Sequence, residues 1–145
     1  MDSLIPPKTT NNSKFLSWAL ITSAIFGCSC RADYNVIIGF LILFLRSQSF
    51  SDKLKLLLKA TFQILILSLF FDVIWIWKYT SYWRHGEEAS DIWKSLSFVH
   101  NLTYYLGIFE FLLKFPITVI IFKQFKSAGG KNSELLNFKY LQTKP

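Results

Sequence analysis

Four apolar stretches follow one another along the chain, separated by short polar segments. Two of them, 60–77 and 104–122, are long enough to cross the hydrocarbon of a bilayer as helices, which takes about 18 residues or more. The other two, 15–30 and 34–45, are shorter, and Arg31 and Asp33 interrupt the apolar run between them. The pattern predicts four helices, the first two joined in a tight hairpin.

The predicted fold is an all-α membrane protein, a bundle of four transmembrane helices. We predict a polar N-terminal tail over 1–14, a membrane domain over 15–127 and a short basic C-terminal tail over 128–145. The predicted spans cover about 15–30, 34–50, 58–78 and 96–123, with a surface loop over 78–95. For the first two spans, two interpretations stay open. Either the bilayer thins around full but short spans, or the pair is a re-entrant hairpin.

Composition supports a membrane protein, because 52% hydrophobic and 18% aromatic residues in 145 are too apolar for a small soluble domain. Most of the 16 Lys and Arg residues fall on the side that holds both termini, and only Arg31, Lys78, Arg84 and Lys94 fall on the other. Both termini are therefore expected on the cytoplasmic or matrix side, facing anionic lipids. No basic run has the length or aromatic spacing of a nucleic-acid site.

Aromatic side chains concentrate on the opposite side, between the third and fourth spans. Tryptophan and tyrosine prefer the headgroup boundary, where the ring is half apolar and half hydrated. The sequence therefore predicts a lipid-interface belt there. It contains Trp75, Trp77, Tyr79, Trp83 and Trp93.

Each predicted helix carries one stripe of small or polar residues at helical spacing. Lipid is as apolar as leucine, so membrane helices associate through close contact of small residues and through polar contacts. We expect the stripes to face one another. The residues predicted to pack helices together are Ser23, Gly27, Asn35, Gly39, Ser68, Gly107 and Pro116.

Three charged residues, Asp72, Glu110 and Lys114, lie inside the apolar runs. A central charge costs about 2.5–3.5 kcal/mol on insertion, so two charges offset nearly all the favourable insertion of the fourth span. Glu110 precedes Lys114 by four residues, the favoured order for an ion pair on one helix, which leaves Asp72 without a local partner. The three are interpreted as a network that fixes helix register. A contact with another membrane protein and a proton or ion relay stay open as alternatives.

Catalytic and metal-binding patterns are missing from the sequence. No Ser or Cys nucleophile lies near a His with an acidic orienting group, and no glycine-rich phosphate loop occurs. Cys28, Cys30, His85 and His100 are too few and too scattered for a metal site. We therefore expect a non-enzymatic protein with no cofactor and no metal.

A set of short motifs occurs in a fixed order over most of the chain. The motifs are Gly27 and Cys28, Tyr34 and Asn35, 48–52, 70–74, Leu112, Leu113, Lys114 and Pro116, and then Gly129, Gly130, Glu134, Leu135 and Leu136. Together they resemble the type-1 angiotensin II receptor-associated proteins, small multi-span membrane proteins. Lys and Pro are usually adjacent in that family, whereas Phe115 separates them here.

The resemblance implies a non-enzymatic adaptor of Golgi, endoplasmic reticulum or vesicle membranes, which binds a receptor through its cytoplasmic tail. We expect this chain to bind another integral membrane protein through its intramembrane polar stripes and its tail. The tail after Gly130 has room for one short helix, with Leu135, Leu136 and Phe138 available for docking. The alternative is an accessory structural subunit of a large membrane complex, such as a respiratory complex of the mitochondrial inner membrane. It is motivated by the lack of any catalytic pattern.

Overall fold

The structure is a computed structural model that describes residues 11–28, 33–47, 52–85 and 97–135, of which residues 11, 46, 52 and 81–85 are described by their backbone alone. These ranges contain helices and no strand, so the all-α prediction is confirmed. The helices are α1 Asn11–Gly27, α2 Asn35–Ser47, α3 Asp52–His85, α4 Ser97–Ser127 and α5 Asn132–Leu135.

Two of these helices, α3 and α4, are long and apolar enough to cross a membrane. Their 34 and 31 residues correspond to about 51 and 46 Å, more than the roughly 30 Å of bilayer hydrocarbon. With 17 and 13 residues, α1 and α2 measure only about 26 and 20 Å. Residues 78–85, predicted as part of a surface loop, continue α3 instead, and the remainder of that loop lies outside the described residues.

The α1–α2 hairpin packs along one half of the longer α3–α4 pair. Ser13, near the start of α1, lines a small cavity together with Gln124 of α4. At the other end of α1, a Cβ atom added to Gly27 would lie 3.6 Å from Oε1 of Glu110. The hairpin therefore ends beside the middle of α4. Beyond it α3 and α4 continue as a pair, joined by a 2.9 Å hydrogen bond between the hydroxyls of Thr80 and Tyr104.

A hydrophobic core fills the half of the bundle that holds the hairpin. The two arms of the hairpin approach closely at Gly39, where an added Cβ would collide with the Ile21 side chain and lie 3.4 Å from the Ser17 carbonyl oxygen. The absence of a side chain at this position lets α1 and α2 meet backbone to backbone. The core consists of Leu20, Ile38, Ile42, Leu45, Leu58, Leu65, Ile117, Ile121, Phe125 and Leu135.

The outer surface of the bundle is largely apolar, and the interior contains many polar groups. This distribution is the reverse of that in a soluble protein, where charged residues are almost never fully buried. Buried polar side chains include Ser17, Asn35, Thr61, Ser68, Asp72, Thr103, Glu110 and Lys114. Side chains more than half exposed include Phe15, Phe26, Ile37, Phe40, Phe44, Phe70, Phe71, Trp77, Phe98, Tyr105 and Leu112.

The chain turns back after α4 through a glycine cap. Gly129 adopts a φ of 77°, a left-handed conformation that suits glycine, and donates to the Lys126 carbonyl at 3.0 Å. Gly130 donates to the Phe125 carbonyl, also at 3.0 Å. These two bonds form a Schellman motif, which satisfies carbonyls that the helix end leaves free. The reversal brings α5 back against α3.

Two polar contacts hold α5 on α3, and we name residues 129–135 the C-terminal clasp. The Gln63 side-chain amide donates to the Leu135 carbonyl at 2.8 Å, and Lys55 forms a 2.9 Å ion pair with Glu134. Leu135 is buried in the core. The prediction that Leu135 is available for a partner is therefore wrong, because the side chain packs within its own bundle. Leu136 and Phe138 lie outside the described residues.

The stability that the C-terminal clasp contributes should depend on pH. The hydrogen bond from Lys55 lowers the pKa of Glu134 below its ordinary value. Because that pKa is lower in the folded than in the unfolded chain, the ion pair stabilises the clasp at neutral pH, and this contribution is lost as pH falls through the folded pKa. Thermal unfolding of micelle-solubilised protein should find wild type slightly more stable than Glu134→Gln at neutral pH and equal to it in acid. A difference that does not change with pH would contradict this assignment.

Candidate functional site

The turn between α1 and α2 places three consecutive polar residues against the long helices. Asp33 is buried and its Oδ1 accepts a 2.9 Å hydrogen bond from the backbone N–H of Asn35. This bond is a helix N-cap, since it satisfies one of the first N–H groups of α2. It also fixes the direction in which Tyr34 and Asn35 leave the turn.

An ion pair between Lys114 of α4 and Asp72 of α3 forms the centre of the site. The Lys114 side chain is fully buried and that of Asp72 is 6% exposed. Tyr34 completes this half of the site, because its hydroxyl lies 2.7 Å from Asp72 Oδ1 and 3.3 Å from the Ser68 carbonyl. The Lys114 ammonium also lies 4.9 Å from the centre of the Tyr34 ring, within the range of a cation–π contact.

Glu110 and Asn35 form the second half of the site. The Asn35 side-chain amide donates to Glu110 Oε2 at 2.6 Å, and both residues are fully buried. The carboxylates of Glu110 and Asp33 approach each other beside Gly27, where an added Cβ would lie 3.2 Å from Asp33 Oδ2. A side chain at Gly27 would therefore crowd both acids. We name the six residues that meet here the polar network: Asp33, Tyr34, Asn35, Asp72, Glu110 and Lys114.

The pairing within the polar network differs from the predicted one. The sequence favoured an ion pair between Glu110 and Lys114 on one helix, with Asp72 left over. In the structure the Lys114 ammonium reaches across to Asp72, and Glu110 accepts from Asn35. The prediction that Asp72 is the unpaired member is wrong. The i, i+4 rule describes isolated helices, whereas here α3 supplies a carboxylate to Lys114 and α2 supplies an amide to Glu110.

Asp33 and Tyr34 were not among the predicted site residues. A signal for them exists in the sequence, since Asp33 stands two residues before Asn35 at the start of an apolar helix, as expected of an N-cap. That pattern places the side chains at the helix start. It does not indicate that the turn lies beside charged residues of two other helices, which depends on how the hairpin docks.

The predicted helix-packing residues divide into two groups. Pro116 is exposed on the outside of α4, so its predicted packing role is wrong. The proline ring is apolar, as are most of the other exposed side chains of this bundle. The buried group lies along the inner faces of the helices. It contains Ser23, Gly27, Asn35, Gly39, Ser68 and Gly107.

The predicted aromatic belt is described only in part. Trp75 and Tyr79 stack with their ring centroids 4.2 Å apart, and Trp77 is 72% exposed. These three side chains lie on the part of α3 beyond the hairpin. Neither the Trp83 side chain nor Trp93 belongs to the described part of the chain.

Within the described residues, no group of three or more His, Cys, Asp or Glu side chains is arranged to hold a metal ion. The cavity lined by Ser13, Ile42 and Gln124 has a volume of about 10 Å³, no more than a single water molecule needs. It lies among isoleucine side chains, away from the polar network. Comparisons with protein families, curated proteins and solved structures found no match.

The polar network makes a direct prediction for stability. Lys114→Met removes the cation and leaves Asp72 buried without its ion-pair partner, which should lower the free energy of unfolding by roughly 3–5 kcal/mol. Lys78→Met is the matched control, because Lys78 is an exposed lysine of the neighbouring long helix α3. It should change stability by less than about 0.5 kcal/mol. Reversible unfolding of the micelle-solubilised protein by dodecyl sulfate measures both, and equal effects would contradict the burial of the pair.

Proposed function

We propose that this chain is an integral membrane protein that acts without catalysis, as an adaptor for another membrane protein. The observation that supports it best is the inverted distribution of side chains, with charges inside the bundle and phenylalanine, isoleucine and tryptophan outside. Such a surface requires an apolar solvent, because exposed apolar patches on soluble proteins rarely exceed a few hundred Å².

The long helices fit a bilayer better than a soluble core. Within their apolar 18-residue windows only 33% of α3 and 28% of α4 is buried. The core helix of a soluble protein with this hydropathy would be buried on most sides. About two thirds or more of the residues in each window are therefore at least partly exposed, as expected when lipid surrounds a helix.

The arrangement of the hairpin supports a modified topology, with two full spans and one short hairpin. The turn lies at the level of Glu110, and Glu110 is six residues, about 9 Å, from Tyr104 at the predicted membrane boundary. On this proposal α3 and α4 cross the bilayer, while the α1–α2 turn ends within it. Irregular backbone at membrane depth needs hydrogen-bond partners, and Asp33 supplies one for the backbone N–H of Asn35.

Cysteine labelling in sealed vesicles tests this topology. Cys28 is exposed, so a Cys30→Ser variant makes it the only cysteine of the chain. In a cysteine-free background, Lys78→Cys and Lys126→Cys mark the two ends of the bundle. A membrane-impermeant maleimide should label these two variants from opposite faces and should label Cys28 only after detergent is added.

Two outcomes would contradict the topology in different ways. Labelling of Lys78→Cys and Lys126→Cys from the same face would mean that α3 and α4 do not both cross. Labelling of Cys28 as fast as Lys78→Cys, from the same face, would mean that the hairpin crosses the whole bilayer.

The adaptor role draws on the resemblance to the type-1 angiotensin II receptor-associated proteins. Asp72, Lys114, Tyr34 and Asn35 belong to the motifs that carry this resemblance, and they meet in the polar network. Because the polar stripes are buried within the chain, the partner is expected to contact the outward apolar side chains rather than the stripes. Golgi, endoplasmic reticulum or vesicle membranes are the proposed location.

Affinity purification in a gentle detergent tests the adaptor role. Tagged protein should co-purify with an integral membrane protein of secretory membranes. Incorporation into a large inner-membrane assembly on native gels, with mitochondrial subunits, would replace the adaptor with the accessory-subunit alternative. Recovery of the chain free of any partner in both assays would contradict both roles.

A further inference from the structure

The topology gathers lysines at one end of the bundle. The start of α1, the start of α3, the end of α4 and the C-terminal clasp all lie at the end where Ser13 meets Gln124 and Gln63 meets Leu135. Each of these segments carries an exposed lysine. We name this set the lysine rim: Lys14, Lys53, Lys123, Lys126 and Lys131.

Little negative charge opposes the lysine rim among the described side chains. At this end they include one carboxylate, Glu134, and it is already paired with Lys55 at 2.9 Å. The opposite end differs, because Lys78 is the one exposed cation among its described side chains. Among the described side chains, the excess positive charge is therefore concentrated at a single end.

The lysine rim also lies at a suitable depth for a lipid headgroup. Lys123 and Lys126 lie nine and twelve residues beyond Lys114, about 14 and 18 Å along α4. Lys114 is close to the centre of the apolar stretch 104–122, and half the hydrocarbon thickness is roughly 15 Å. Their ammonium groups therefore reach the level of the phosphates, while their stems cover apolar surface.

We infer that the lysine rim is a binding surface for anionic phospholipid headgroups, such as phosphatidylserine. This inference rests on the proposed membrane location, because it uses the depth of α4 in the bilayer. A lysine near an anionic membrane surface improves binding about fivefold, and several lysines on one rim act together.

The experiment uses the full chain in nonionic detergent micelles, titrated with tail-labelled fluorescent phosphatidylserine or phosphatidylcholine. The wild type should bind the serine lipid more tightly, and added salt should weaken that preference. Lys126→Gln should weaken binding about fivefold, and the triple variant Lys123→Gln, Lys126→Gln, Lys131→Gln about 100-fold. Lys78→Gln, the matched control at the other end, should bind as the wild type does.

Three results would overturn the inference. The wild type could bind both lipids equally, or Lys78→Gln could weaken binding as much as Lys126→Gln. Displacement of the labelled lipid by inorganic phosphate at equal concentration would identify a phosphate site rather than a lipid surface. The unfolding midpoint of each variant is measured as well, to check that the variant is folded. Cysteine labelling of the vesicle-embedded chain reports separately whether α3 and α4 cross.

Discussion

The buried ion pair between Lys114 and Asp72 is the constraint on which the rest of this structure depends. An ammonium group with no exposed surface is tolerated only when a carboxylate and further hydrogen bonds compensate the loss of water. The two long helices supply the ion pair. The α1–α2 turn adds two hydrogen-bond donors, the Tyr34 hydroxyl to Asp72 and the Asn35 amide to Glu110.

This requirement explains why the hairpin docks where it does. Asp33 caps α2 and aims Tyr34 and Asn35 at the long helices, and Gly27 leaves room for the acids. From that anchored turn, two short helices return along α3 and α4. They meet closely at Gly39 and build the apolar core with Leu20, Ile42 and their neighbours. The polar contacts of the turn therefore set the position of the hairpin on α3 and α4, and the helices pack closely in that position.

Much of the fold could be predicted from the sequence, because the relevant signals are local. The apolar lengths of 60–77 and 104–122 identify the two long helices, and helical spacing places Ser68, Asp72, Gly107 and Lys114 on inner faces. The partner of Lys114 could not be predicted in this way, since a residue four positions away is close in every helix. Which of several nearby acids takes the ammonium depends on tertiary docking. The burial of Leu135 could not be predicted either, because it depends on the chain reversal at Gly129 and Gly130.

A double-substitution cycle on Asp72 and Lys114 tests the central claim most directly. Lys114→Met leaves the Asp72 charge without its partner, and Asp72→Leu leaves the Lys114 charge without its partner. Each single variant should therefore lose several kcal/mol of unfolding free energy. The double variant Asp72→Leu, Lys114→Met removes both charges and replaces them with apolar groups. If the account is right, it is more stable than either single variant, with a coupling energy of roughly 2 kcal/mol or more. If the two losses simply add, the two side chains do not form the pair that organises this bundle.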